Sequence, residues 1–308
     1  NDFIKDLILS KKSDYLINEK NCSLEAATTY AYTSRPFESV ALKLLELNEV
    51  DGLLKYLTIK LQLLPVDKTN NIEEDEYYIQ KTLLSSWIVE LYMEKFNELT
   101  NNQLNQTKSL QEIESQFEEF LVNFKSVIHK ETVYQIFQAH NSQKFLLFYG
   151  NLIHDYDFIL DYWINLENWG ESLKILEKIN NPGLVYKYAN VLLMNSPEAT
   201  FAVWMRLYRD LNYKKFVPAI LSYNKNIRKN KSVVSANKNL MLNYLNFLIF
   251  EVNAIDPIIH SMYLSILVMD ANSKRSDTMI LKYLEVYTKG DYSHNGDDEA
   301  HFDVEFIL

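Results

Sequence analysis

Apolar residues recur three and four positions apart through the middle of the chain, the spacing that brings side chains to one face of an α-helix. Four such stripes follow one another between Asn141 and Asp210. In chain order they consist of Phe145, Phe148, Tyr149 and Leu152; Ile159, Tyr162, Trp163 and Leu166; Val185, Tyr188, Ala189, Leu192 and Leu193; and Phe201, Trp204, Met205 and Tyr208. Because each stripe is short, the pattern predicts a series of short amphipathic helices.

Helix start signals fall between and after these stripes. Asn181, Ser196 and Asp256 each precede a proline, which places a capping side chain before a residue suited to the first helical position. Successive predicted helices start about 13 to 16 residues apart, so a helical hairpin recurs about every 27 to 31 residues. This rhythm is typical of solenoid proteins, in which hairpins stack on their neighbours.

The first third of the chain follows the same rule. One apolar stripe follows Pro36, and a longer helix is predicted from about Tyr78 to Leu99. The stripe after Pro36 consists of Phe37, Val40, Ala41, Leu44 and Leu45. The longer helix should bury Leu83, Leu84, Trp87, Ile88, Leu91, Tyr92 and Phe96 and expose Glu90, Glu94 and Glu98. No stretch alternates between apolar and polar residues as a half-buried strand would, so an all-α fold is predicted.

The predicted architecture is an elongated α-solenoid of stacked antiparallel helical hairpins, of the clathrin-repeat or TPR-like kind. Residues 1–308 are expected to form a single domain of this class. Polar stretches interrupt the helical pattern, and we expect mobile loops at 65–77, 101–108, 224–233 and 290–300.

Glycine and proline are scarce, with six of each in 308 residues. An average usage of about 7% would give roughly 22 glycines. Phosphate-binding loops, nucleophile elbows and tight β-hairpins depend on glycine because it reaches positive φ and lets backbones approach closely. The chain can hold few such devices, so its function should lie in surfaces rather than in a catalytic loop. The single cysteine, Cys22, excludes an internal disulfide and suits a reducing compartment.

Charge is distributed unevenly along the chain. The formal net charge is −10, yet Leu211–Phe250 contains seven basic residues and no acidic one. The densest part of this stretch is a candidate patch for an acidic partner or for anionic lipid headgroups. It is formed by Lys225, Arg228, Lys229 and Lys231. The alternative is a solvated connection between two helices, and bulk nucleic-acid binding is not expected at this net charge.

Residues that carry catalytic chemistry do not form a recognisable motif. No HExxH, GxGxxG, Walker, GxSxG or clustered-cysteine pattern occurs, and paired carboxylates have the spacing of solvated helix surfaces. The one metal-binding alternative combines His294, Asp297, Asp298 and His301 in an acidic segment. We therefore expect no enzyme activity, no catalytic or cofactor-binding residues, no cofactor and no bound metal.

Aromatic residues are abundant, with 21 tyrosines, 16 phenylalanines and 4 tryptophans. In stacked hairpins such rings fill the space between helix layers, and each can bury about 150–250 Å². Trp87, Trp163 and Trp204 fall on apolar stripes and are predicted to be structural anchors between layers. The alternative, an aromatic cage for a ligand, agrees less well with their helical spacing.

Several segments occur in an order that resembles the helical region of the Deep orange-type class C vacuolar protein-sorting family. In the second half they are 196–205 (SPEATFAVWM), 216–223 (FVPAILSY), 243–247 (NYLNF), 256–267 (DPIIHSMYLSIL) and 302–308 (FDVEFIL). In the first third, 31–34 (AYTS), 37–43 (FESVALK) and 83–92 (LLSSWIVELY) are similar to the family's early helices. Their ordered succession carries the resemblance.

The resemblance implies a scaffold subunit of the HOPS and CORVET complexes, which tether endosomal and vacuolar or lysosomal membranes before fusion. It implies sister class C subunits as partners, including a Sec1/Munc18-like subunit, with Rab GTPases and SNAREs engaged indirectly. The implied location is the cytosolic face of late endosomes and of the vacuole or lysosome, with peripheral membrane association through the complex and no nucleic acid. The family's N-terminal β-propeller and C-terminal zinc-binding RING are not expected within these residues.

Two other classes of protein remain open from the sequence alone. A helical-repeat coat or adaptor protein that binds peptides or partner helices would share the rhythm, but it would not account for Trp204 and the 256–267 segment together. An all-helical enzyme would need titratable groups converging on inward helix faces, where the pattern places aliphatic and aromatic residues.

Overall fold

The computed structural model of the chain describes residues 2–18, 22–65, 76–101, 107–179, 181–229, 234–269 and 274–288. Within these ranges the regular structure consists of sixteen α-helices and one 3₁₀ helix, Tyr213–Phe216, and no strand is present. The α-helices are α1 (Asp2–Asn18), α2 (Ser23–Ala31), α3 (Phe37–Glu46), α4 (Val50–Leu63), α5 (Tyr78–Asn101), α6 (Thr107–Phe124), α7 (Lys130–Ala139), α8 (Gln143–Leu152), α9 (Tyr156–Asn165), α10 (Trp169–Ile179), α11 (Pro182–Asn195), α12 (Pro197–Arg206), α13 (Val217–Lys229), α14 (Val234–Phe250), α15 (Pro257–Met269) and α16 (Lys274–Thr288). The predicted all-α class is confirmed.

The helices group into two compact units, Asn1–Tyr156 and Asp157–Leu308. Within each unit a helix packs mainly on its neighbours in sequence and on the next helix but one. This is the nearest-neighbour packing of a solenoid, so the predicted α-solenoid class is confirmed within each unit. The expectation of a single domain over 1–308 stays a prediction.

In the first unit, α2 packs on α1 and α4, while α5 packs on α4, α6 and α7. The core around α5 to α8 is rich in aromatic rings. Tyr92 stacks on Phe117 with ring centroids 4.8 Å apart, and Phe145 meets Phe117 nearly edge-on at 4.8 Å. Phe117, Phe137 and Phe145 are almost fully buried. Such rings bury large apolar areas and therefore hold the short helices together.

In the second unit, α11 packs on α10, α12 and α13, and α14 packs on α12 and α15. The apolar stripe predicted for α11 faces this core. Its members, Val185, Tyr188, Ala189, Leu192 and Leu193, are all buried. The 3.6-residue period therefore identified the packing face of this helix correctly.

Two of the three predicted helix caps are made by the expected side chain. Asn181 accepts a hydrogen bond from the N–H of Gly183 at 3.0 Å, and Asp256 accepts one from the N–H of Ile258 at 2.9 Å. Ser196 also precedes a proline at the start of a helix, but its side chain makes no capping bond. The proline rather than the serine side chain marks the start of α12.

Several turns between helices place a residue other than glycine in the left-handed region. They are Asn48, Asn141, His154, Glu167 and Asn253, with φ between 51 and 58°. After α3, the N–H of Glu49 donates to the carbonyl of Leu44 at 3.0 Å, which is the six-to-one bond of a Schellman turn. Asparagine tolerates this backbone better than most residues, so the scarcity of glycine does not remove such turns.

The expected loops differ in part from the structure. Helix α13 continues to Lys229, so 224–229 is helical and the expected loop at 224–233 is wrong for these residues. Much of the predicted loops lies outside the described residues, namely 66–75, 102–106, 230–233 and all of 290–300. Helix α5 likewise includes Asn101 at the start of the second predicted loop.

Some residues face differently from their helical pattern. Leu45, Leu83 and Leu166, placed on inward stripes by their spacing, are 43%, 57% and 55% exposed. Glu90, expected on the outer face of α5, is half-buried, and its carboxylate lies 2.7 Å from His140 Nε2. The spacing of apolar residues specifies which face of a helix points inward. The neighbouring helix decides how many residues of that face are shielded from water.

Candidate interaction surfaces

The candidate basic patch begins on the C-terminal part of α13. Lys225 is exposed on this helix, Arg228 and Lys229 belong to its last turn, and Lys231 lies outside the described residues. The side chains of Arg228 and Lys229 also lie outside the described part. Positions 225, 228 and 229 recur three and four residues apart, which is the spacing of one helical face. Positive charge is favourable at a helix C-terminus, in agreement with the extension of α13 through these residues.

Trp204 is the most deeply buried of the three predicted anchors. It is 2% exposed, and its indole lies 4.0 Å from the ring centroid of Phe216 and 5.6 Å from that of Tyr244. Trp87 on α5 and Trp163 on α9 are half-buried. The position of Trp204 agrees with a role as an anchor between helices, and the role of all three stays a prediction.

A polar cluster centred on Asp14 fastens α1 to the two helices that follow. The carboxylate accepts hydrogen bonds from the side chains of Tyr30 (2.6 Å), Arg35 (2.6 Å) and Lys43 (3.0 Å). Burial alone would raise the pKa of Asp14, but these hydrogen bonds outweigh it and lower the pKa to about 2. The cluster holds the carboxylate in its charged form and stabilises the packing of α1.

A buried histidine joins α15 to α16. His260 is 2% exposed, with Nε2 2.6 Å from the carbonyl of Ala254 and Nδ1 2.9 Å from the hydroxyl of Tyr283. Because a carbonyl only accepts, Nε2 carries the proton and Nδ1 accepts from Tyr283. Burial lowers the pKa of His260 below its ordinary value. The neutral imidazole is therefore the form that fits this site.

In the described ranges, no group of three or more His, Cys, Asp or Glu side chains is arranged to hold a metal ion. The alternative metal site at His294, Asp297, Asp298 and His301 lies outside those ranges. None of the described helices combines the length and the apolar character needed to cross a membrane.

A groove opens in the first unit between α4 and α6, with α5 as its floor and a volume of about 1040 Å³. Asp51 near the start of α4 forms an ion pair with Lys95 in the second half of α5. Further along α4, the Phe37 ring contacts both Tyr56 of α4 and Trp87 of α5, so these two helices run antiparallel. Only residues 102–106 separate α5 from α6, and Tyr92 of α5 stacks on Phe117 of α6. Helix α6 is therefore also antiparallel to α5, and α4 and α6 form two parallel walls.

The groove has charged rims, and its floor is apolar apart from Lys95, which pairs with Asp51. Its apolar lining includes Leu54, Tyr92, Leu99, Ile113, Phe120 and Phe124. Glu112 and Glu119 are exposed on the α6 rim, and Lys55 is exposed on the α4 rim. Sequence reasoning missed this surface because its lining comes from three helices whose mutual placement the apolar pattern does not specify. The charged residues of α6 are evident in the sequence, but the sequence does not show that α4 lies opposite them.

The fold defines the class of the protein as a helical-repeat α-solenoid, and comparison with known proteins identifies the family. The first half of the VPS18 alpha-solenoid domain matches residues 1–155, and the second half matches residues 156–308. The chain belongs to the VPS18 family. The resemblance to class C vacuolar protein-sorting subunits is thereby confirmed at the level of that family.

Similar proteins occur in several organisms. The chain is 27% identical over 288 residues to the vacuolar membrane protein pep3 of Schizosaccharomyces pombe, which covers 92% of this chain and 30% of that protein. It is 26% identical over 311 residues to the vacuolar protein sorting-associated protein 18 homolog of Danio rerio. That alignment covers 98% of this chain and 29% of the Danio rerio protein. It is also 26% identical over 294 residues to vacuolar sorting protein 18 of Arabidopsis thaliana. That alignment covers 92% of this chain and 27% of the Arabidopsis thaliana protein. The chain thus spans less than a third of the length of these relatives.

Proposed function

We propose that the chain is a Deep orange-type class C segment that serves as a non-catalytic scaffold in a membrane-tethering complex of the HOPS and CORVET type. The observation that carries this proposal is the match of both halves to the VPS18 alpha-solenoid domain. The names of the relatives refer to vacuolar protein sorting and to the vacuolar membrane, which supports a role in transport to the vacuole. The process served would be traffic from endosomes to the vacuole or lysosome.

The architecture supports a role in binding rather than in catalysis. Stacked helical repeats contact only their neighbours and leave long surfaces available to partners. In the described residues the interior is filled mainly by aliphatic and aromatic side chains. The polar side chains of Asp14 and His260 are hydrogen-bonded to other groups of the same chain.

We infer that the direct partners are sister class C subunits, including a Sec1/Munc18-like subunit. Rab GTPases and SNAREs would be engaged through the complex, on the cytosolic face of late endosomes and of the vacuole or lysosome. The basic residues at the end of α13 would add a contact to an acidic subunit surface or to anionic lipid. The alternative for these residues is a solvated connection.

Affinity purification of the full-length protein, with and without the segment equivalent to residues 1–308, tests the scaffold role. We expect the complete protein to recover the sister subunits, the Sec1/Munc18-like subunit among them, and the shortened form to lose at least one. Size-exclusion chromatography of the shortened form serves as the control for aggregation. Recovery of the same subunits in the same amounts by both forms would contradict the proposal.

A further inference from the structure

The groove between α4 and α6 has the dimensions of a helix-binding site. Its lining runs from Asp51 to Gln62 along α4 and from Ser109 to Phe124 along α6. At ~1.5 Å per residue these stretches are about 16 and 22 Å long, which corresponds to three to four helical turns. A helix of about 11 to 15 residues would therefore lie along the groove in contact with both walls.

The apolar side chains that line the groove range from buried to exposed. Phe120 and Ile113 are 5% and 8% exposed, and Tyr92 is half-buried. Leu24, which also lines the groove, is 53% exposed. A helix that entered here would rest on an apolar floor and would remove Leu24 from water, which favours an occupant with an apolar stripe.

The carboxylates on the α6 rim are those that lack a partner of their own. Glu112 and Glu119 lie two helical turns apart on the groove side of α6, and neither forms an ion pair with any of the described residues. Glu114, which does not line the groove, forms an ion pair with Lys144 of α8. The α6 rim therefore presents negative charge that is available to an incoming group.

We propose that this groove binds an amphipathic α-helix of a partner protein that carries lysine or arginine residues two turns apart on one flank. The apolar stripe of that helix packs on the floor, and its basic flank pairs with Glu112 and Glu119. On the opposite rim Lys55 repels a second basic flank, and Asp51 is already paired with Lys95, so the charges select one orientation. This inference rests on the scaffold function proposed above and specifies the chemistry of one docking segment.

Rim charge distinguishes this occupant from others of similar shape. An acidic helix would bring its carboxylates close to Glu112 and Glu119, and like charges across an interface are strongly unfavourable. Anionic lipid headgroups would meet the same repulsion. A second copy of this chain, or another segment of it, would have to present a basic helix and is one outcome of the test.

The test places the photo-crosslinking amino acid p-benzoylphenylalanine at Gln116 in the full-length protein, expressed in its own cells and assembled in its complex. Gln116 is exposed and lies in the groove between the two rim glutamates. Mass spectrometry of the crosslinked peptides should identify one predominant segment of a partner, with apolar residues at helical spacing and a basic flank. Raising the salt concentration before irradiation should lower its yield.

Two matched double variants separate rim charge from general charge. Glu112→Lys with Glu119→Lys should lower the crosslink yield roughly tenfold, because both pairings become repulsive. Glu94→Lys with Glu98→Lys makes the same change at exposed α5 positions outside the groove and should leave the yield unchanged. Exchange of the partner's basic residues for glutamate should restore the yield of the first variant.

Several results would overturn the proposal. One is a crosslinked segment that is acidic or uncharged, and another is crosslinks found only to lipid, to this chain or to a second copy. The absence of any crosslink, or an equal loss of crosslink yield in the two double variants, would also overturn it. Thermal unfolding of both variants checks that they fold. If the sister subunits assemble while the crosslink is missing, the groove proposal fails and the scaffold proposal stands. If the unsubstituted protein recovers no sister subunit, the scaffold proposal itself fails.

Discussion

The indole of Trp204 lies flat on the ring of Phe216, with centroids 4.0 Å apart and an interplanar angle of 17°. Phe201 and Tyr244 pack around the same indole at 5.7 and 5.6 Å. Because Phe216 belongs to the 3₁₀ helix and Tyr244 to α14, one side chain on α12 joins three elements of the second unit. Removal of this ring should therefore weaken the packing of all three elements.

The first prediction is that Trp204→Ala lowers the free energy of unfolding by about 3–5 kcal/mol, because it leaves a large cavity among packed rings. Trp204→Phe should cost less, and Trp163→Ala should also cost less because Trp163 is half-buried. Urea unfolding of the three variants measures the difference. An unchanged midpoint for Trp204→Ala, with partner binding lost instead, would show that Trp204 serves an interface.

The second prediction compares two residues that each precede a proline. Asn181→Ala should lower the free energy of unfolding by about 1 kcal/mol, since the Asn181 side chain caps α11. Ser196→Ala should change it by less than about 0.5 kcal/mol, since that side chain makes no capping bond. Equal effects of the two substitutions in urea unfolding would contradict the assignment of the caps.

The third prediction concerns acid stability. Because the pKa of Asp14 is lowered to about 2, its charged form stabilises the folded state above about pH 4, and this contribution is lost as the pH falls towards 2. Asp14→Asn should cost about 1–2 kcal/mol at pH 7 and almost nothing near pH 2. Glu25→Gln, at an exposed position, is the control. A cost for Asp14→Asn that is the same at both pH values would disprove the linkage.

The fourth prediction concerns His260, whose pKa is lowered by burial despite the raising effects of the Ala254 carbonyl and of Asp256. An unfolded chain takes up a proton below about pH 6.5, whereas the folded chain resists it, so stability should fall as the pH drops below that value. In His260→Gln this pH dependence should be weaker. His154→Asn, at an exposed site, should keep it. Chemical unfolding at pH 8 and pH 5.5 measures both, and identical slopes for the two variants would argue against this account.

The fifth prediction concerns the basic residues at and after the end of α13. Replacing the whole patch with serine should weaken liposome flotation or complex assembly at low salt, at about 1 kcal/mol per charge near an anionic membrane. The replaced residues are Lys225, Arg228, Lys229 and Lys231. The control replaces exposed lysines of α1, namely Lys5, Lys11 and Lys12. If both measurements match the parent protein at low salt, where screening is weakest, the patch has no electrostatic partner among those tested.

Much of the secondary structure could be predicted from the sequence because helix formation is governed by residues three and four positions apart. The stripe from Val185 to Leu193 is buried as its spacing predicted. Asn181 and Asp256 cap helices because a capping bond needs only a backbone N–H two residues away. The ordered family segments were also readable in the sequence, since they depend on chain order alone.

Predictions that depended on the neighbouring helix were less successful. Leu83 is exposed although it belongs to an apolar stripe, and Glu90 is half-buried against His140 although its spacing placed it outside. The loop expected at 224–233 overlaps the end of α13, because exposed basic residues suit the surface of a helix as well as a loop and no glycine or proline marks where this helix ends. The left-handed turn at Glu167 carries no residue type that would have predicted it.

The sequence by itself determined that the chain is helical, where its caps at Asn181 and Asp256 lie, and to which family it belongs. Only the tertiary structure decided which charged groups meet. Asp14 finds its partners 16, 21 and 29 residues further along the chain, and the groove lined by Glu112 and Glu119 exists because α4 and α6 both pack on α5. The physical reason is that a 3.6-residue period specifies which face of a helix avoids water, but not which other helix covers that face.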